Sequence, residues 1–295
     1  MKRFASVLMV FLATTLLSGC GDGPCDAGFS FKYCLNQSSS SSSAPTYTIG
    51  GAVTGLGAAQ SVTLVLNRPA VSFSAPSTDP SSFPGAGAVG WSFTVDASKN
   101  VSYLGLYNTE LNADTTVAIW NSSGQVLVSK VFTQTGITAA ELDASGFFWL
   151  PISQSLAPGQ YTIGAFSTAD HFGAYGSTPV ATYGLKLNTM SVYGSEAVLT
   201  KPAESISSVY PNGFFGPNLR FSSQKVISAN GAFTFDASLL NAELYTVTVS
   251  SQPAGATCKF IVDPVTNEKS DSISGKINGA NLTNLTVSCT QNGTS

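Results

Sequence analysis

Val226-Ile-Ser-Ala-Asn-Gly-Ala-Phe-Thr-Phe235 sets the fold class. An apolar pair, an Asn-Gly dipeptide and an alternating Phe-Thr-Phe follow one another. Asn-Gly between apolar runs is a strong hairpin signal, because both residues accept the positive φ that a tight turn demands. The segment therefore predicts two strands around a short turn. The same period of two recurs in Tyr47 and Ile49, in Val62, Leu64 and Leu66, in Tyr245, Val247 and Val249, and in Leu285, Val287 and Cys289. Alternation of this kind marks half-buried strands. Gly50-Gly51 and Gly55 to Gly57 supply turns between them.

Between Leu66 and Lys225 lies a second set of strand candidates: Trp91–Val95, Val101–Tyr107, Thr115–Trp120, Val126–Phe132, Phe147–Pro151, Gln160–Phe166, Thr182–Leu187 and Asn218–Ser222. Turn sequences separate them, among them Asn121-Ser-Ser-Gly124, Ala157-Pro-Gly159 and Pro211-Asn-Gly213. Many short strands with regular turns predict a sandwich or jelly roll. Only Ile137–Asp143 could form a short helix, and without amphipathic helices between strands a parallel α/β sheet is excluded. Trp91, Phe93, Tyr103, Leu106 and Trp120 are candidates for its core. The Phe147-Phe148-Trp149 run must send its middle ring to the opposite face from its neighbours.

Composition agrees with an exported all-β chain. Hydrophobic residues make up 43% of the 295 and charged residues only 10%, with 28 glycines and 14 prolines to make turns. The 13 basic side chains against 16 acidic ones cannot neutralise many phosphates, which argues against a nucleic-acid partner.

The N-terminus reads as an export signal. Lys2 and Arg3 precede an apolar run from Phe4 to Leu17, too short to span a membrane. The run ends in Leu17-Ser18-Gly19-Cys20, which resembles the lipobox of bacterial lipoproteins. That resemblance implies cleavage after residue 19, acylation of Cys20, and attachment to a membrane by lipid. Gly21 in place of Asp resembles the residue that permits sorting to the outer membrane, which places the protein in a Gram-negative envelope. Residues 20–46 read as a tether whose unbroken run Ser38–Ser43 has nothing to bury.

With Cys20 acylated, Cys25, Cys34, Cys258 and Cys289 remain, an even number suited to an oxidising compartment. Three pairings are open. The local one, Cys25 with Cys34 and Cys258 with Cys289, is favoured, and neither pair has zinc-site spacing.

Two further resemblances organise the mature chain. Tyr47–Leu56, Ser61–Leu66, Ser228–Phe235, Tyr245–Cys258 and Gly279–Cys289 together resemble the short β-sandwich repeats of bacterial surface proteins, related in pattern to prealbumin-like, carboxypeptidase-regulatory domains. Paired cysteines in that family imply Cys258–Cys289. Gly90–Val95, Val101–Tyr107, Val117–Gly124, Leu156–Ala165 and Phe215–Phe221 resemble an uncharacterised family of exported bacterial domains, some found beside glycosidases and some in proteins with a sorting tail. The implied plan is all-β, a jelly-roll-like sandwich of residues 67–223 inserted into a smaller sandwich made of 47–66 plus 224–291.

No catalytic residue is assigned. His171 is the only histidine, and no Gly-x-Ser-x-Gly elbow accompanies it. Glu141 and Asp143 form the best local carboxylate pair, but their setting reads as a solvated turn. Asn108, Glu110, Asn112 and Asp114 offer side-chain oxygens at alternate positions, which suits a structural calcium; the alternative is a polar turn. Phe172, Tyr175, Tyr210, Phe214 and Phe215 fall in Gly-rich loop-like stretches, where rings stack on sugars; alternatively they close the ends of the core. The expected function is a non-catalytic binding or structural module at the cell surface, for polysaccharide or a surface protein, with no cofactor other than calcium. A carboxylate-dependent hydrolase and an adhesion or spacer protein are the alternatives.

Overall fold

The computed structural model describes residues 44–74, 81–83, 86–107, 113–133, 142–143, 145–168, 171–173, 177–208 and 213–292. They belong to one compact unit, all-β and without a helix among the described residues. Strands are numbered β1 to β21 in chain order.

One six-stranded sheet runs, edge to edge, through β20 (Ser272–Lys276), β17 (Leu244–Ser251), β2 (Val62–Pro69), β15 (Pro217–Ile227), β6 (Lys99–Tyr107) and β9 (Phe147–Leu156). A five-stranded sheet runs through β16 (Gly231–Thr234), β1 (Ile49–Thr54), β21 (Leu282–Gln291), β18 (Ala256–Asp263) and β19 (Glu268–Ser270). A second six-stranded sheet contains β14 (Glu204–Ser205), β13 (Leu185–Gly194), β5 (Gly87–Val95), β10 (Gly159–Ser167), β7 (Thr115–Asn121) and β8 (Val126–Phe132). Two short ribbons pair β11 (His171–Gly173) with β4 (Ser81–Phe83), and β12 (Ser177–Ala181) with β3 (Val71–Ser74). Pairing is antiparallel except between β1 and β21.

The strand pair β2–β15 joins everything. Val62 lies opposite Ile227, Leu64 opposite Lys225 and Leu66 opposite Ser223, in antiparallel register. One buried cluster gathers Ile49, Val62, Leu64, Leu66, Ile227, Val247, Phe260 and Val287. Another gathers Ala70, Trp91, Phe93, Val101, Leu104, Ile119, Ile163, Leu219 and Phe221. The chain leaves the first cluster along β2, builds the second, and returns along β15. Burying each such side chain is worth about 1.5–3 kcal/mol, so both clusters are substantial cores. The sequence positions 66/67 and 223/224 fall inside β2 and β15, because two continuous ladders pass from one core to the other.

Trp91, Phe93, Leu106 and Trp120 are buried as expected. Tyr103 is only half-buried, its ring beneath the guanidinium of Arg220. Phe148 enters the core, and its neighbours Phe147 and Trp149 stack on each other with ring centres 5.1 Å apart.

Two sequence expectations are corrected. The Asn230-Gly231 segment does not close a hairpin: β15 and β16 belong to different sheets, and β16 pairs with β1. The cause is the Asn230 side chain. Its Oδ1 accepts from Leu56 N and its Nδ2 donates to Leu56 O, both at 2.8 Å. The amide thus binds another turn rather than its own strands, and the chain arches between layers. Asn230→Ala should cost about 1–3 kcal/mol through those two hydrogen bonds, measured as a lower urea midpoint with unchanged slope; an unchanged midpoint would show that the arch holds without them. The second correction concerns Thr182–Leu187. Its first residues form a turn, and the strand begins at Leu185 because Thr182 to Leu185 is closed by a Leu185 N to Thr182 O hydrogen bond of 3.0 Å.

Candidate functional site

Residues opposite each other in a ladder share a face, and every second residue along a strand returns to it. On the core side, β2 presents Val62, Leu64, Leu66 and then Arg68, while β15 presents Leu219 and Phe221, then Ser223 and Lys225, then Ile227. Apolar side chains at both ends enter the two cores; the polar ones between them floor a gap where neither core covers the sheet. A cleft of about 380 Å³ opens there, lined among others by Arg68, Lys99, Tyr183, Ser223, Asp236 and Ser238. Its walls come from both parts of the fold: Lys99 and Tyr183 from the segment between β2 and β15, Asp236 and Ser238 from the segment after β16.

Arg68 is 5% exposed and faces Glu243, which is fully buried. Arg68 Nη1 lies 3.4 Å from Glu243 Oε1 and donates to Ser238 O at 2.8 Å, while its Nε is buried without a partner. Glu243 Oε2 accepts from Leu240 N at 2.9 Å and from Tyr183 N at 3.4 Å. Burial is the dominant influence on both groups, pushing the carboxyl above its usual range and the guanidinium below its own despite their mutual attraction.

Tyr183 sits at the corner of the Thr182–Leu185 turn, with its side chain 44% exposed. Thr182 N donates to Ala70 O and Thr182 Oγ1 to Pro69 O, which ties the turn to the end of β2. Lys99 Nζ donates to Tyr183 O at 3.0 Å. The next residue, Gly184, has φ +75°, and a Cβ there would lie 2.6 Å from Asp96 Oδ1, so only glycine lets the β5–β6 turn press this close. Tyr183 is therefore an exposed ring on a backbone fixed from several sides. Lys99 also lies 5.4 Å from the Phe221 ring centre. Burial, followed by repulsion from Arg68, lowers its pKa.

A second polar cluster lies on the other face of the shared sheet. Asp143 Oδ1 accepts from Ser145 N, Ser145 Oγ and Phe147 N; Oδ2 accepts from Trp149 Nε1 and Arg220 Nη2. The Arg220 guanidinium stacks 4.0 Å from the Trp149 ring centre, and that ring lies against Gly105, where a Cβ would be 2.4 Å from it. Clefts of about 520 and 360 Å³ meet at Pro69, Asp143, Ser145 and Leu244 beside this cluster. Five donors occupy the Asp143 carboxylate, so it locks a turn to the sheet. This replaces the reading of Asp143 as part of a solvated turn; its proposed partner Glu141 lies outside the described residues.

Two members of the aromatic set read from sequence are buried rather than set on a loop surface. Phe214 and Phe215 are each 0% exposed, Phe214 beside Val89 and Phe215 within the larger core. They close the core ends, because the Met190 O to Phe214 N hydrogen bond draws this segment inward. Phe172 lies in β11 with its backbone opposite Ser82, and Tyr175 and Tyr210 lie outside the described residues. Of the calcium set, Asp114 is described and exposed, whereas Asn108, Glu110 and Asn112 lie outside the described residues, as do Cys20, Cys25 and Cys34. His171 is in β11. Cys258 and Cys289 are disulfide-bonded.

Sequence reading missed Tyr183, Arg68 and Glu243. Two signals pointed to them: Tyr-Gly can occupy the central positions of a turn that needs positive φ at its second central residue, and Asn67-Arg68 interrupts an otherwise apolar alternation. No protein-family model, curated protein or solved structure matches this chain.

Proposed function

We propose that this chain is an envelope lipoprotein, anchored through Cys20, whose β-sandwich acts as a non-catalytic binding module for polysaccharide, with the cleft between the two cores as its binding site. The observation that carries this reading is Tyr183: an aromatic residue 44% exposed, on a turn held by the end of β2, by Lys99 and by Glu243, at the edge of a polar cleft. Sugar recognition needs that combination, since the apolar face of a pyranose packs on a ring while its hydroxyls seek fixed donors and acceptors. Ser223, Ser238, Asp236, Lys99 and Arg68 supply such partners nearby. The volume is at the small end of ligand sites and fits a short stretch of chain. The resemblance of the 67–223 segment to domains found beside glycosidases points the same way. A serine-rich spacer would hold this surface away from the membrane.

A glycan array probed with the full chain tests the reading, and retention on at least one polysaccharide class is expected. Tyr183→Ala should weaken that binding about tenfold, equivalent to about 1.4 kcal/mol, with little change in melting temperature because the ring is exposed. An array without a bound glycan, or full binding by the alanine variant, removes this cleft as the site.

A further inference from the structure

We infer that the sugar taken by this cleft carries a carboxylate, so that the ligand is a uronic-acid-containing glycan rather than a neutral one; the inference rests on the proposed binding function.

The argument is one of charge placement. Two cations line the cleft, Arg68 and Lys99. Lys99 donates to the Tyr183 carbonyl and lies over the Phe221 ring, and among the described residues no carboxylate lies within ion-pair distance of it. Arg68 has one carboxylate, Glu243, at 3.4 Å, while its Nε is unpartnered. Asp236, the acid lining the cleft, faces Lys225 at 3.2 Å and is 88% exposed. Glu243 thus pairs with Arg68, while Lys99 is held in a partly desolvated setting where Asp96 and Glu243 act on its charge from beyond ion-pair distance.

Neighbouring like charges in such a setting repel, and an anion placed between them relieves the repulsion. Burial first, and then Arg68, lower the pKa of Lys99, while Asp96 and Glu243 act to raise it. The chain as a whole carries a formal charge of −3, so general attraction cannot bring an acidic polymer to it. Local recognition must do so, through a carboxylate reaching Lys99 while the ring it belongs to rests on Tyr183.

The test uses paired glycans. Oligosaccharides of galacturonate, glucuronate and mannuronate are titrated into the full chain beside their carboxyl-reduced counterparts, which keep every ring and linkage but replace the carboxylate with a hydroxymethyl group. At least one acidic member should bind ten times more tightly or better than its reduced partner, and the advantage should shrink as salt rises. Lys99→Met should bring the acidic-to-reduced affinity ratio down about tenfold, and Lys99→Arg should restore most of that ratio. Equal affinity for acidic and reduced partners overturns the carboxylate inference and leaves the glycan-binding reading standing. If neither form binds while other glycans do, the inference fails alone; if no glycan binds, both fail. Displacement of the oligosaccharide by inorganic phosphate at the concentration where galacturonate itself displaces it would reassign the cleft to a bare anion and also overturn the proposal.

Discussion

Glu243→Leu is expected to destabilise the protein by about 3–5 kcal/mol, because it strands Arg68 in the interior without a counter-charge. Arg68 is 5% exposed and its Nε already lacks a partner, so water cannot substitute for the missing carboxylate. The backbone N–H groups of Leu240 and Tyr183 lose their acceptor in the same step. The companion variant decides the cause. Burial moves the two groups in opposite directions, the carboxyl up and the guanidinium down, which means desolvation outweighs their attraction. Removing both charges together, as Arg68→Met with Glu243→Leu, should therefore recover most of the loss, leaving about 1–2 kcal/mol for the orphaned backbone groups. A double variant as unstable as Glu243→Leu alone would sink this account. The same shift predicts a pH dependence. A carboxyl whose folded pKa is raised binds its proton more readily when folded, so its contribution is complete below the ordinary value of 4.5 and is lost as pH rises through the folded value. Urea midpoints taken across that range should fall more steeply with pH in the natural protein than in Glu243→Gln.

Why that pair was illegible in the sequence is a matter of range. Arg68 and Glu243 are separated by 175 positions, and no local pattern connects a charge at the end of one strand with another just before β17. What alternation could specify was the neighbourhood that brings them close. Val62, Leu64 and Leu66 form a half-buried strand by period alone, and their pairing with Gln224–Ile227 follows once two flanking segments must share a core. Continuity across that junction was hidden because polar Ser223 and Lys225 break the apolar alternation of β15, making one strand of 11 residues read as two. The polar break is the very feature that leaves the cleft open. The Asn-Gly error has another origin: turn propensity is local, but the two hydrogen bonds from Asn230 go to Leu56, 174 residues away. Phe214 and Phe215 misled for a related reason. Glycines on either side suggested exposed loops, whereas the segment runs between the core and β13, and its rings fill space there. Tyr183 was hidden by the opposite mistake, since strand-like spacing concealed a turn that fixes its ring outward.

Removing the Cys258–Cys289 disulfide is expected to cost about 3.7 kcal/mol, the loop-closure entropy of a 31-residue separation. The two residues lie directly opposite in the β18–β21 ladder and are buried among Val53, Phe260 and Val287. Replacing both with alanine keeps the site apolar and avoids burying new hydroxyls, so chain entropy dominates the difference. For a chain of this size the melting temperature should fall by about 8–15 °C. The bridge lies in the five-stranded sheet, whereas Arg68, Lys99 and Tyr183 are positioned by the shared sheet and the turns beside it. Below its new melting point the double-alanine variant should therefore bind glycan with the affinity of the natural protein. Loss of binding in step with loss of stability would mean that the cleft depends on the five-stranded layer, and that the walls contributed by Asp236 and Ser238 are held by that layer rather than by Arg68.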